Sequence, residues 1–159
     1  MSETIDSEAP VEGVTAALTA WLSISQPVEA ATHRLETTLS ERHAICLSAY
    51  EILTYLADRR GWTPLADISK GVMRSQPRIS RLVSEMQTRG MVVRSKLHGD
   101  GRAYQINLTR KGRRVLNASS VTVMQCFDQI ASGNDELGLL FSARRRESAH
   151  HGSESVIGS

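Results

Sequence analysis

At Gly90 the apolar period of this chain changes from about 3.6 residues to about two. Upstream, Ile79, Leu82, Val83 and Met86 fall on one face of a helix that Ser75 caps and that runs to Arg89, with Gly90 as its C-terminal stop. Downstream, Met91-Val92-Val93-Arg94 reads as a strand, and Tyr104-Gln105-Ile106-Asn107-Leu108 alternates as a second. His98-Gly99-Asp100-Gly101 between them is a turn sequence. A helix that passes straight into a β-hairpin leaves few folds open, and the preceding residues narrow them further. Residues 64–70 read as a short helix with Leu65, Ala66 and Ile68 inward, Thr63 as its cap and Pro64 at its first position. Gly71 makes the turn to the next helix. The predicted class is mainly α with a small β-hairpin wing: a winged helix-turn-helix centred on residues 62–109.

The flanks are helical. Residues 47–59 form a helix whose core face is Tyr50, Leu53, Tyr55 or Leu56, and Ala57. Ser48 and Glu51 have capping-box spacing, and Cys46 is a rival N-cap. From Val11 onward, Val14, Leu18, Trp21, Val28, Leu35 and Leu39 recur at heptad spacing, with Ser25 and Thr32 in the weak positions. This predicts an amphipathic helix roughly 40 Å long, kinked or split by Pro27 near Gln26. So small a domain cannot bury the whole stripe, which calls for a helix from a second copy. After the wing, Thr109 caps a helix over residues 110–130 with Leu116, Val123, Phe127 and Ile130 on one side. Gly133-Asn134-Asp135 breaks it, and a last short helix carries Leu137, Leu140 and Phe141 inward and Arg144 to Arg146 near its end. The expected organisation is one domain over residues 11–147, in which 11–40 and 110–147 are dimerisation helices around a winged helix-turn-helix at 47–109. Residues 1–10 and 148–159 are expected to be disordered tails.

Charge is segregated along the chain. Residues 41–114 hold 15 Lys and Arg against 6 acids, a net of +9, whereas residues 1–40 carry −5 and residues 115–159 carry −2. A basic middle between acidic flanks is the electrostatic footprint of nucleic-acid binding, although a solvated basic surface would look the same by charge alone. No stretch is apolar enough to span a membrane, and the acidic start does not resemble a signal peptide, so a cytoplasmic protein is expected. Cys46 and Cys126 form neither a disulfide framework nor a C-x-x-C motif. No nucleophile–base pair, phosphate-binding glycine loop or catalytic carboxylate pair is present, and an enzyme is not expected. No cofactor is implied.

The second helix of the pair is the candidate recognition element. With its apolar stripe turned inward, it shows Arg74, Gln76, Arg78, Arg81 and Glu85 outward. Arg78 and Arg81 lie one turn apart, so both can face a major groove, where Arg reads guanine and Gln reads adenine. Ser75 and the free amides of the first turn suit a phosphate. Pro77 costs the helix nothing in its first turn and can pack on a thymine methyl. At the wing tip Arg102, oriented by Asp100, suits a narrow A·T-rich minor groove, with an ordinary Asp-Gly turn as the plainer reading. Lys96, Arg94 and Thr63 are read as phosphate contacts.

Taken in order, Tyr50-Glu51-Ile52-Leu53, Leu65-Ala66, Ser75 with Ile79-Ser80-Arg81-Leu82-Val83, Arg89-Gly90-Met91-Val92, Asp100-Gly101-Arg102, Leu108-Thr109 and Gly112 resemble the MarR (multiple antibiotic resistance regulator) family over roughly Val11 to Arg146. The resemblance implies a homodimer built on the terminal helices, a palindromic double-stranded DNA operator, repression, and release by a small-molecule ligand or oxidant. The chain departs from the pattern at Pro77, at Cys46 in place of a Ser or Thr cap, and in its short final helix. The resemblance places His33 at an effector pocket that Trp21 and Tyr50 could line; against this, a helical His is usually solvated and Trp21 fits the heptad core. Cys46, with His43 and Arg42 nearby, is a redox candidate at a helix N-terminus, or simply a small apolar residue there. His33, Glu41, His43 and Cys46 lack zinc spacing, and no metal is expected. The rival reading is a winged-helix protein-interaction module without DNA binding, which would have no reason to keep Arg74, Arg78, Arg81 and Arg102 basic.

Overall fold

Five helices and three short strands follow one another as α1 (Glu12–His43), α2 (Leu47–Arg59), β1 (Thr63–Pro64), α3 (Leu65–Gly71), α4 (Gln76–Thr88), β2 (Val92–Lys96), β3 (Tyr104–Leu108) and α5 (Arg110–Gly133). The computed structural model describes residues 12–96, 103–133 and 138–139. The hairpin turn with Asp100 and Arg102, the last helix through Arg146 apart from residues 138–139, and both tails lie outside the described residues. The described residues divide into two units, one within residues 34–129 and one that takes in residues 12–33 with 130–133 and 138–139.

Within residues 34–129 the helices and the strands β2 and β3 share one core. Leu39, Ile45, Ile52, Leu53, Leu56, Ile68, Ile79, Val83, Met86, Met91, Val92 and Ile106 are all buried to 2% exposure or less. Ala49, Ile52, Leu53 and Leu56 lie at the i, i+3, i+4, i+7 spacing of a single helix face, and this is the stripe α2 buries. Of the expected face, Leu53 and the Leu56 alternative are in the core, whereas Tyr50, Tyr55 and Ala57 are corrected to its partly buried rim. A tyrosine hydroxyl needs a polar partner, and the rim supplies one, because Tyr50 Oη lies 3.2 Å from Ser120 Oγ. Cys46 is the N-cap of α2, its Sγ accepting from the Ala49 amide at 3.4 Å. Ser48, the alternative cap, is buried inside the helix.

The sheet has the order β1-β3-β2 with both pairings antiparallel. Thr63 and Pro64, expected to begin α3, instead form β1 and pair with Ile106 and Gln105. Pro64 has φ −58 and ψ 140, an extended conformation, and α3 begins one residue later at Leu65. Proline cannot donate to a ladder, and it sits here on the edge strand, where that loss is tolerated.

A split at Pro27, one of the two expected outcomes, is corrected: α1 passes through Pro27 as one helix of 32 residues. Pro27 leaves the carbonyl of Ser23 without its intrahelical donor. Ser23 is exposed, so water can take the donor's place. In this helix Leu35 and Leu39 are buried, but Val14, Leu18, Trp21 and Val28 of the same heptad series remain 46–66% exposed.

Helix α4 ends in a Schellman motif. The Gly90 amide donates to the Gln87 carbonyl and the Met91 amide to the Met86 carbonyl, both at 2.9 Å, with Gly90 at φ +72. Thr109 clasps this corner to α5: its Oγ1 lies 2.7 Å from the Gly90 carbonyl and 3.0 Å from that of Met91, and it accepts from the Gly112 amide at 3.0 Å. Gly112 is required by closeness rather than by its backbone angles, since a Cβ there would strike the Met91 carbonyl oxygen and sit 2.7 Å from Leu108 Cδ1. Met91 O is held by two bonds from Thr109 and cannot retreat. Gly112→Ala is therefore expected to destabilise the fold by about 1–3 kcal/mol, as overpacking does, measured as a fall in the urea midpoint at unchanged slope.

Candidate nucleic-acid interface

Helix α4 exposes one face throughout. Ile79, Val83 and Met86 are buried, Leu82 is partly so, and Arg74, Ser75, Gln76, Pro77, Arg78 and Arg81 all face solvent. Ser75 occupies the N-cap position with extended backbone, but its hydroxyl makes no capping hydrogen bond, so Ser75 caps by conformation alone. The Gln76 and Arg78 amides belong to the first turn, where helical amides have no intrahelical acceptor. Pro77, within that turn, has no amide to leave unsatisfied. This helix start therefore offers amides, a free hydroxyl and two guanidinium groups one turn apart.

The cations differ in how far they are committed. Arg78 has no ion-pair partner among the described residues. Arg81 lies 4.0 Å from Glu85, both strongly exposed, a pairing too weak and screened to hold it back. Arg74 is 3.7 Å from Glu51 of α2. Glu51 Oε2 is enclosed and accepts no hydrogen bond, so Arg74 also neutralises a buried carboxylate oxygen. In the sequence Glu51 stood out as a member of a capping box and of the Tyr50-Glu51-Ile52-Leu53 stretch, not as a partner for Arg74.

Other candidates are placed differently. Lys96 is exposed at the described end of β2. Thr63 is only 5% exposed and its hydroxyl donates to the Gly61 carbonyl at 3.4 Å, so it is not presented to a phosphate as expected. Arg94 is partly buried, with its guanidinium carbon 3.5 Å from the centroid of the Tyr104 ring. This stacking depends on a strand register that the sequence leaves open, and no local signal announces it.

Trp21 and His33 are exposed on α1 in the unit that takes in residues 12–33. Within residues 34–129, Tyr50 faces Ser120 of α5, His43 Nε2 lies 2.7 Å from Thr122 Oγ1, and Glu36 accepts from the Leu47 amide at 2.8 Å. Cys46 lines a different feature, a cleft of about 290 Å³ that runs from Ser40 and Ala44 to Leu82, Glu85, Met86 and Arg89 at the end of α4. No group of three or more His, Cys, Asp or Glu side chains among the described residues could hold a metal ion. Among the described residues no helix is long and apolar enough to cross a membrane.

The elements and their order define a winged helix-turn-helix protein. More particularly, the fold is that of MarR family transcriptional regulators. The chain is similar to Sco3205, a MarR family regulator of Streptomyces coelicolor solved in complex with DNA, at 21% identity and a TM-score of 0.70, covering 89% of each chain. It is similar to AbsC, another MarR family regulator of Streptomyces coelicolor, at 21% identity and a TM-score of 0.67, covering 86% of this chain and 94% of that one. It also matches Bordetella bronchiseptica BpsR, whose DNA binding is regulated by 6-hydroxynicotinic acid, at 17% identity and a TM-score of 0.62, over 79% of this chain and 98% of that one. No protein-family model matches the sequence, and neither does any curated protein.

Proposed function

We propose that the protein is a cytoplasmic, sequence-specific DNA-binding transcription regulator that acts by binding rather than by catalysis. The observation that carries this reading is the exposed start of α4, where Gln76, Arg78 and Arg81 project from a helix whose other face is locked into the core. The likeness to Sco3205, solved on DNA, supports it. The interaction-module alternative gives no account of so basic a helix face. The functional unit is a homodimer that joins copies through the apolar stripe of α1, which a single chain leaves exposed at Val14, Leu18, Trp21 and Val28. Two copies present two recognition helices to a palindromic operator. Repression is relieved by a small ligand; BpsR, which responds to one, shares the fold. The cleft beside Cys46 reaches the last turns of α4, so an occupant there would bear on the recognition helix directly.

Fluorescence anisotropy with labelled duplex DNA at rising salt tests the reading. Log affinity should fall linearly with log salt, with a slope of about −0.9 for each phosphate neutralised. Binding that is absent at low salt would eliminate DNA as the partner.

A further inference from the structure

Among the described residues of the hairpin, Arg94 is a cation whose buried Nε the fold leaves without a hydrogen-bond partner. Arg94 lies opposite Ile106, and Lys96 lies opposite Tyr104, in the β2–β3 register. Alternation puts these four residues on one face of the hairpin. At Ile106 this face is fully buried, whereas Lys96 at its outer end is exposed. Arg94 sits where the face leaves the core. Its Nε is buried and has no hydrogen-bond partner, and no carboxylate among the described residues lies within ion-pair distance. What it does have is the ring of Tyr104, diagonal to it across the strands. A separation of 3.5 Å between the guanidinium carbon and the ring centroid is full van der Waals contact over the aromatic face.

Stacking of this kind fixes the plane of a guanidinium without using any of its N–H donors. Burial of Nε removes water that would otherwise compete for the charge. Lys96, two residues along the same face, adds a second positive charge. Two cations without a described counterion, one of them immobilised, suit an anionic oxygen supplied from outside the chain. The Schellman corner at Gly90 and Met91 joins this hairpin directly to α4, so the anion would belong to whatever α4 engages.

We infer that Tyr104 is a positioning residue for Arg94, holding its guanidinium at the base of the wing so that Arg94 and Lys96 grip the DNA backbone beside the recognition helix. This rests on the DNA-binding reading above. Tyr104 touches no nucleic acid in this account and acts only through Arg94.

The test is a double-mutant cycle in the full chain, read by anisotropy on duplex DNA across a salt series, with thermal melting of each variant. Tyr104→Leu should weaken binding about two- to fivefold, the scale of one cation–π interaction, while Tyr104→Phe, which keeps the ring, restores it. Arg94→Gln should weaken binding and lower the salt slope by roughly one phosphate. In the Arg94→Gln background, Tyr104→Leu should have no further effect. Equal weakening by Tyr104→Leu with and without Arg94, or failure of Tyr104→Phe to restore binding, would overturn the inference. If Tyr104→Leu does not fold, Arg94→Lys decides: it keeps the charge but not the stacked plane, so weakened binding supports the inference and wild-type binding overturns it. Wild-type protein that binds no duplex would instead remove the DNA reading itself, which separates the two failures.

Discussion

Arg78→Ala combined with Arg81→Ala is expected to reduce affinity for a specific duplex by about 30-fold or more, since each Arg–guanine bidentate pair is worth about 1–3 kcal/mol. Both side chains are exposed and neither contributes to the core, so the variant should melt with the wild type. The double substitution does break the Arg81–Glu85 pair, but at 4.0 Å and high exposure that pair is worth at most a few tenths of a kcal/mol. Affinity and stability therefore separate at these two positions. Arg74 is different, because Arg74→Ala also strands the enclosed Glu51 oxygen and should lower both. Anisotropy and thermal melting on the same samples read out both quantities. Unchanged DNA affinity in the double variant would remove α4 from the interface.

The second large effect concerns assembly. Leu18→Glu with Trp21→Glu should convert a dimer to a monomer that keeps its helicity and its winged helix. Leu18 is 54% and Trp21 66% exposed in a single chain, so neither holds residues 34–129 together. In an apolar seam between copies, however, each carboxylate would be desolvated without a partner, at a cost of several kcal/mol. Leu35 and Leu39 belong to the same heptad series but are buried, so glutamate there should unfold the protein instead. Sedimentation equilibrium with circular dichroism distinguishes these cases. DNA affinity of the monomer should also collapse, because linking two half-site contacts raises their effective concentration. A Leu18→Glu, Trp21→Glu variant that stays dimeric would place the seam elsewhere.

The parts of the fold that are legible in the sequence are those with local punctuation. The change of period at Gly90, the Thr109 cap and the stripe of Ile79, Val83 and Met86 each announce an element within a few residues, and each is present. The misreadings have longer-range causes. Thr63-Pro64 has the look of a helix start, and only its pairing with Ile106 and Gln105, some 40 residues away, makes it a strand. The phase of α2 misleads because its tyrosines are apolar enough to pass for core, whereas the Tyr50 hydroxyl draws its ring to the rim. Pro27 invokes a rule for breaking a helix that a long helix can absorb where the freed carbonyl belongs to an exposed residue, Ser23. At the candidate site, the face of α4 follows from helical periodicity alone. The stacking of Arg94 on Tyr104 and the pairing of Arg74 with Glu51 do not, since each needs two distant segments brought together.

Selection of bound sequences from random duplexes, followed by footprinting on the enriched site, tests the central claim most directly. A two-fold pair of α4 helices entering successive major grooves on one side of the duplex predicts an inverted repeat, with half-site centres about 10–11 bp apart or a multiple of that. Protection should cover both halves together, with A·T-rich minor groove on their outer sides where Arg102 of each wing would lie. Enrichment of a site with no inverted repeat, or protection of a single half at saturating protein, would contradict the account of a symmetric dimer reading DNA through α4.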